Sequence, residues 1–493
     1  MAEYDFIIVG AGSAGGALAA RLSEDPANRV LLLEAGKASH PYSRMPVSFG
    51  LLINNPAANW LYESEPEPNT ANRAIPVPRG KVLGGSSSIN GLVWVRGQPL
   101  DFDTWAQMGN RGWSWQDVAP VFTRNPDYNS EDQEGVAKTQ TSIYRGRRMS
   151  VAHCYIEPAM KRPNLHVVTE AHTLRVLLDG RRCTGVEYER GGQVVRAAAR
   201  ETILSAGGVA SPQILELSGI GNPEVLQRHG IEVRHALPAV GENFRDHINA
   251  RVIWRLKVPQ LSYNHMARGL GAVTQFLKYV TTGGGFMSLP SAPLLGFIKS
   301  RPELETPDLQ FHIVPYSIKD PKTRKLQDFP SMTISCYQLR PESLGSIHIK
   351  SPDPRAHPAI RFNFLHDPID RAAMTAGIRL MRHMMAQAPM GAYRGDEFSP
   401  GPEVSTDEQI LTWIRNNSQT AYHPIGTCRM GPLGTHAVVD DKLRVHGLDG
   451  LRVADASIFP TMPSGNTNAP SIMVGEKCAD IIRAERHGMR AAA

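Results

Sequence analysis

Apolar positions near the start of the chain form two short unbroken runs, Phe6 to Val9 and Val30 to Leu33, separated by helix formers from Ser13 to Leu22. Runs of that length read as strands buried on both faces. Residues 4 to 36, YDFIIVGAGSAGGALAARLSEDPANRVLLLEAG, therefore predict a strand, a glycine-rich turn, a helix and a second strand ending in an acid. Between 164 and 204 the runs NLHVVTEA, HTLRVLL, CTGVEYE and ETILSAG predict short strands. From about Asn249 the period becomes two: RVIWRLKV, DLQFHIV, SMTISCY and GSIHIKS alternate apolar with polar residues. That pattern predicts an antiparallel sheet with one face buried and the other free to wall a substrate pocket.

Helix signals punctuate the rest. A helix over Pro212 to Leu217 stops at Ser218 and Gly219. Asp367 caps a helix with Pro368 at its first position, Asp370 in its first turn, and a core stripe of Met374, Ile378, Met381 and Met385. Thr406 and Gln409 form a capping box ahead of Ile410, Leu411 and Ile414. Prolines from Pro41 to Pro78 predict extended covering segments, and YVTTGGGFMSLPSAP reads as a mobile gate or a plain loop. Trp105, Trp113 and Trp115 read as packing residues before a substrate wall.

The opening unit has the chemistry of a dinucleotide site. Gly10 allows the tight turn, Gly12 lets backbone approach a pyrophosphate, and Gly15 lets the helix pack on the strand. Ser13 and Ala14 open the helix whose N-terminus faces the phosphates. Glu34, followed by Ala35, lies where an acid accepts hydrogen bonds from adenosine ribose hydroxyls. NAD and FAD are equally served by this unit. A second stretch, RGKVLGGSSSINGLVWVRG from Arg79 to Gly97, offers glycines, small hydroxyls and the two-sided amide of Asn90, as a backbone lying against a flat polar ring requires.

Composition narrows the class. A chain of 493 residues exceeds one ordinary core, and 41% hydrophobic with 20% charged residues fits a soluble globular protein. There is no apolar run of about 18 residues, and the first strand begins at Tyr4, leaving no room for a secretory signal. A cytoplasmic protein is expected. Cys154, Cys183, Cys336, Cys428 and Cys478 are scattered and never in CxxC spacing, so neither a disulfide framework nor a metal site is expected. The net charge of +6 allows peripheral association with an anionic membrane. The basic clusters Arg145, Arg147, Arg148 and Lys322, Arg324, Lys325 lack interleaved aromatics, so they read as solvated loops and no nucleic acid is expected.

The stretch from Arg79 to Gly97 resembles the first signature of the glucose-methanol-choline family of flavin oxidoreductases, and SAGGVASPQILELSGIG, residues 205 to 221, resembles its second. HPIGTCRMG and VADASIFPTMPSGNTNAPSIMVGE are similar to the family's catalytic block. The resemblance spans almost the whole chain and implies FAD rather than NAD. It implies cofactor contacts from Arg79, Gly80, Val82, Gly84, Gly85, Ser86, Asn90, Gly91, Val93, Val167, Ala206, Gly207, Asp455, Ala456 and Thr467, with Val167 meeting the adenine through its backbone. Some family members bond the flavin covalently through a histidine where this chain has Ile89, so the FAD is expected to be non-covalent. Related proteins also carry some tens of additional residues at the junction of Arg124 and Asn125, which, if they belong to a lid, leaves a wider entrance here.

In the family's catalytic block a histidine is followed later by a second histidine or an asparagine. Here the pair is His423 and Asn466, with Asn468 two positions away as the other choice. His423 would take the hydroxyl proton of an alcohol, and Asn466 would donate to the developing alkoxide while hydride passes to flavin N5. A thiolate–imidazole reading of Cys428 with His423 is rejected, because no third orienting group is evident. Asp455 is either the acid of a strand returning to the diphosphate or a turn cap.

The expected fold is α/β: an FAD-binding Rossmann-like domain (1–100, 158–248 and 418–493) interleaved with a substrate domain (101–157 and 249–417) built on an antiparallel sheet with flanking helices. The expected activity is FAD-dependent oxidation of a primary alcohol to the aldehyde, with an aliphatic, aromatic or polyether substrate preferred. Electrons pass on to a quinone or dye-like acceptor in a dehydrogenase, or to oxygen in an oxidase. The same fold leaves open a lyase, a photodecarboxylase or an inactive FAD-binding protein. Choline would need an aromatic or acidic site, which the sequence does not place around Trp60, Trp94 or Trp105. The oligomeric state is left open.

Overall fold

The structure, a computed structural model, describes residues 3–122, 133–320 and 323–492. In chain order its main elements are β1 (Tyr4–Val9), α1 (Ser13–Leu22), β2 (Val30–Leu33), α2 (Pro99–Gln107), α3 (Trp115–Phe122), β3 (Gly135–Lys138), β4 (Leu165–Val168), β5 (His172–Asp179), β6 (Arg182–Arg190) and β7 (Gln193–Leu204). There follow α4 (Gly207–Leu217), β8 (Ile248–Leu256), α5 (Gly269–Thr282), β9 (Leu294–Ile298), β10 (Leu309–Val314), β11 (Ser331–Gln338), α6 (Pro368–Ala386), β12 (Arg394–Ser399), α7 (Asp407–Asn417), β13 (Gln419–Thr420), β14 (Leu451–Val453) and α8 (Asn468–Ala492).

Two seven-stranded sheets carry the molecule. The first runs β4-β2-β1-β7-β6-β5, with β14 paired to β7. Its β1, β2, β4, β7 and β14 are mutually parallel where they pair, and Phe6–Val9, all of β2, the Thr202–Leu204 end of β7 and β14 are buried on both faces, which is why the sequence shows unbroken apolar runs in β1 and β2. The second runs β12-β8-β11-β10-β9-β3, with β13 paired to β8, and is antiparallel throughout. Its alternation sorts the side chains: Val252, Trp254, Phe311, Ile334 and Cys336 enter a second core with Met374, Ile378, Met381 and Met385 of α6. Both helix starts near it form as the sequence dictates. Asp367 accepts from the Ile369 N–H at 2.7 Å, and Thr406 and Gln409 satisfy each other's backbone in a capping box.

Several elements differ from their sequence reading. The helix expected from Pro212 begins at Gly207, because the Asp455 carboxylate accepts the Gly207 N–H at 2.8 Å and so caps the chain five residues earlier. Trp105 and Trp113 are fully buried and, with Phe102, Val118 and Phe122, pack into the core of the first sheet. Residues 101–122, assigned to the substrate domain, therefore lean on the cofactor side. The stretch read as gate or loop is the last turn of α5 plus a short turn, with Gly283 closing the helix at φ 68°. Arg148, read as a solvated loop residue, is fully buried, and burial pushes its guanidinium down to about 9. Lys322 and the junction at Arg124 and Asn125 lie outside the described residues.

A pair of ion pairs on one histidine staples the two halves. His348, on a hairpin of Ser346–His348 with Ala359–Arg361, places Nδ1 2.7 Å from Glu216 of α4 and Nε2 3.0 Å from Glu242. Burial disfavours the charged ring, but the hydrogen bonds to both carboxylates outweigh it and raise His348 from 6.5 to about 9. A folded-state value above the unfolded one stabilises fully below pH 6.5, and that contribution disappears as pH rises through 9. The melting-temperature gap between wild type and His348→Gln should therefore be widest below pH 6.5 and shrink towards pH 9. A gap that stays constant across a pH series would mean the ring is not charged.

Candidate active site

A cavity of about 470 Å³ runs between the two sheets, from the Gly10 turn and Glu34 at one end to His423 and Asn466 at the other. At the first end, Gly10 adopts φ 101°, which only glycine takes without strain, and a Cβ on Gly15 would meet the Gly10 carbonyl oxygen at 2.0 Å. Gly12 behaves differently: a Cβ there would meet no protein atom within 4 Å. It caps α1 with no side-chain hydrogen bond, so the helix N-terminus opens onto the cavity, as an anionic group requires. The Gly207 position is equally open. These residues fit a dinucleotide.

The loop from Arg79 to Asn90 folds over that end. The Gly84 N–H donates to the Ala11 carbonyl at 2.9 Å, and a Cβ on Gly85 would meet the Gly12 Cα at 2.7 Å. Arg148 holds the loop from beneath, donating to Ser43 O, Ser87 O and, at 2.7 Å, Asn90 Oδ1. Glu34 is buried, and its carboxylate accepts the Ala11 and Gly36 N–H groups at 3.1 and 2.9 Å; burial pushes it up to about 7. Each oxygen keeps a lone pair for a ribose hydroxyl. Asp455 does both things the sequence left open. It caps its own turn through the Ser457 N–H at 2.7 Å, and it faces the cavity while bonding Gly207 and Ser211.

The sequence-derived residues converge on this one cavity, with four exceptions. Gly15 and Gly84 act as packing glycines behind the wall, and Val82 belongs to a small buried cluster with Ile89. Val167 lies on β4 opposite Leu32, and the wall nearest to it in sequence is supplied by Ala171, His172 and Thr173 instead. Ile89 itself reaches the wall and presents only aliphatic carbon.

At the reactive end, the Asn466 amide nitrogen lies 3.0 Å from His423 Nε2, whereas Asn468 accepts from Ser13 at 2.8 Å at the other end of the cavity. Proton positions follow from the partners. His247 Nε2 faces the Leu339 carbonyl at 2.9 Å and must carry a proton, which leaves its Nδ1 an acceptor. His423 Nδ1, 2.9 Å from that atom, is then the donor, so His423 Nε2 is an acceptor and takes the Asn466 amide N–H. Asn466 Oδ1 in turn accepts from Gln310 at 3.2 Å. Burial, with the nearby His247, Arg79 and His312, holds His423 well below 6.5, and burial brings His247 to about 4. Both rings are neutral at pH 7. Cys428 is fully buried with its thiol held well above 9, again by burial, so it provides no thiolate.

Sequence reasoning missed the support for this pair. Asp246 accepts the backbone N–H groups of His247 and His423 at 2.7 and 2.9 Å and the Thr420 hydroxyl at 2.5 Å. His312 receives hydrogen bonds from Gln310 and Tyr337 at 3.0 and 3.2 Å, and burial near Arg251 takes it to about 3. The signal lay in DH at 246–247 beside the start of an alternating strand and in the outward-facing His312 of DLQFHIV.

A mainly parallel sheet with a glycine turn, whose last helix is preceded by the Asn466 amide, joined to an antiparallel sheet that brings a neutral histidine to the same cavity, fits a dinucleotide-dependent oxidoreductase. The chain belongs to the GMC oxidoreductases: the family's N-terminal model matches residues 4–126 and 123–249, and its C-terminal model matches 341–475. It is an FAD-dependent oxidoreductase acting on CH–OH donors. It is 40% identical over 530 aligned residues to the oxygen-dependent choline dehydrogenase of Rhizobium etli, covering 97% of this chain and 95% of the relative. That of Serratia proteamaculans is 38% identical, over 98% and 96%. Among solved structures, pyridoxine 4-oxidase from Mesorbium loti superposes with a TM-score of 0.87 at 26% identity, and formate oxidase with 0.89 at 27%, each over 98% of this chain and 99% of the other. The N-terminal match breaks at 123–126, where the sequence reading places the missing segment.

Because Gly12 has ordinary φ of −77° and open space at its Cβ, Gly12→Val should fold normally yet lose cofactor. Its apoprotein should melt within about a degree of wild-type apoprotein, as a substitution without new contacts does, while flavin absorbance per purified chain falls sharply. Undiminished flavin content would place the diphosphate elsewhere.

Proposed function

We propose that this chain oxidises a primary alcohol to the aldehyde, with His423 as the base and Asn466 as the donor to the alkoxide. The carrying observation is the unprotonated Nε2 of His423, which accepts the Asn466 amide N–H at 3.0 Å on the wall of the cavity. When bound, FAD supplies the hydride acceptor. A hydroxyl that displaces the Asn466 amide from His423 Nε2 gives its proton to that nitrogen, while His423 Nδ1–H stays donated to His247. The Asn466 amide then donates to the oxygen as negative charge develops on it, in a site where burial magnifies that interaction. The Gln310 donation to Asn466 Oδ1 keeps the amide from turning its oxygen towards the alkoxide. Electrons leave to a separate acceptor, read here as a quinone or dye-like molecule in a dehydrogenase.

His423→Ala should retain FAD and lower kcat by about two orders of magnitude or more, the usual worth of a positioned base. The assay pairs an alcohol panel with an artificial acceptor beside an oxygen electrode, so that oxygen uptake without dye would identify an oxidase. Near-normal turnover by the variant would remove His423 from the mechanism.

We further read the outer face of α5 as a peripheral contact with anionic lipid. Leu270, Val273, Phe276, Leu277 and Val280 are all more than half exposed and fall on one stripe of the helix. The opposite face rests on the protein, with Tyr279 donating to Gly146 O at 3.0 Å and Gln275 accepting from Phe286 at 3.3 Å. Exposed Arg145 and Arg147 flank Gly146 and match a negative surface. Among the described residues no helix is long and apolar enough to cross a membrane. The protein should co-sediment with vesicles of anionic phospholipid, and a Leu270→Ser, Val280→Ser variant should not. A wild type that ignores vesicles but runs as a dimer dispersed by that variant would assign the stripe to a second copy.

A further inference from the structure

The wall of the reactive chamber carries charge of one sign. Side chains of β8, β10 and β11 that turn away from the second core face the cavity, among them Arg251, His312, Thr333 and Ser335. Arg251 Nη1 donates to Gln419 Oε1 at 2.8 Å, and its guanidinium also bonds the Tyr422 hydroxyl. Arg324, half-buried, joins it from the turn between Ile318–Asp320 and Lys325–Leu326. The two cations are close enough to act on each other and on Tyr316. Among the described residues neither guanidinium has an ion-pair partner. The acids on the wall, Glu34 and Asp455, lie at the cofactor end with their oxygens engaged by backbone N–H groups.

A guanidinium turned into a cavity without a counter-charge is costly, and a fold retains it where a ligand brings the anion. We propose that the alcohol oxidised by this chain carries a carboxylate, seated on Arg251 and Arg324, with its hydroxyl end presented to His423 and Asn466. The planar fork of arginine suits a carboxylate. A quaternary ammonium would meet like charge at Arg251, the face of Trp60 is already covered by Lys81 Nζ at 4.4 Å, and Trp105 is buried in the first core. This chain thus departs from the substrate named for the choline dehydrogenases it resembles. The inference rests on the alcohol-oxidation reading.

The test uses the holoenzyme with an artificial acceptor and three sets of alcohols: ω-hydroxycarboxylates of increasing length, the matching neutral ω-hydroxyamides, and choline. The carboxylates should exceed the amides in kcat/KM by about tenfold or more, with choline the poorest, as expected for a charge-complementary seat. Arg324→Gln should lower the carboxylate-to-amide ratio by about tenfold, chiefly through KM. Its position on a half-buried turn lets it decide the point even where Arg251→Gln does not fold. Calorimetric titration with n-alkanoates, which have no hydroxyl to oxidise, reads the anion seat without turnover. A preference for choline or the amides, or a ratio unchanged in the arginine variants, overturns the proposal and leaves alcohol oxidation standing. Alkanoate binding with no alcohol oxidised would instead overturn the reading of the reaction.

Discussion

The carbonyl oxygen of Leu339 accepts the Nε2 proton of His247 at 2.9 Å, and the proton pattern of the reactive end follows from that contact. A backbone carbonyl cannot donate, so His247 has one neutral tautomer open to it. With the other tautomer of His423, two lone pairs would face each other across 2.9 Å at the His247–His423 contact. The lone pair on His423 Nε2 is thus imposed from two residues away. Position is imposed as firmly. Asp246, itself fully buried and pushed up to about 6 by burial, holds the backbone of both histidines at once. It can do so because Ile248 pairs with Thr420, which brings the start of β8 and the end of β13, far apart in sequence, side by side.

The same economy joins the two ends of the cavity. The first sheet provides a helix N-terminus, open glycine positions and two carboxylates, Glu34 and Asp455, engaged by backbone N–H groups. The second sheet brings His423 to the other end through the pairing of β13 with β8. Arg148 and the loop from Arg79 to Asn90 bridge them: the loop touches the Gly10 turn through Gly84 and Gly85, while Arg79 donates to the carbonyl of Tyr422, the neighbour of His423. Burial lowers Arg79 to about 10 and Asp246 lies near enough to oppose that shift, so this cation serves both ends.

How much of this could be read from the chain depends on the range of the interactions involved. Local rules were legible: the GAGSAG turn, the caps at Asp367 and Thr406, and the period-two strands all depend on neighbours within a few residues. His423 and Asn466 were legible only through resemblance, since nothing in the spacing of the two requires a contact of 3.0 Å. What escaped was long-range burial. Arg148 stands among exposed Arg145 and Arg147 in sequence, and its passage under the Asn90 loop depends on residues some sixty positions earlier. The early start of α4 depends on Asp455, which no local signal near Gly207 announces.

The alternation of the second sheet has a consequence for how such a protein acquires a substrate. Along β8, Val252 and Trp254 are committed to the core, where any change of volume is felt. Asn249, Arg251 and Ile253, one residue out of phase, face the cavity and contribute little to that core. Charge at those positions can change without repacking the sheet, whereas His247, in the same strand's approach, is locked by Asp246, Leu339 and Tyr337, whose ring stacks on it at 4.6 Å. On the proposed reading, reaction and specificity thus occupy adjoining positions under different constraints. The proton machinery is over-determined by several contacts, while the wall that meets the rest of the substrate is set by side chains whose replacement alters the ligand before it alters the fold.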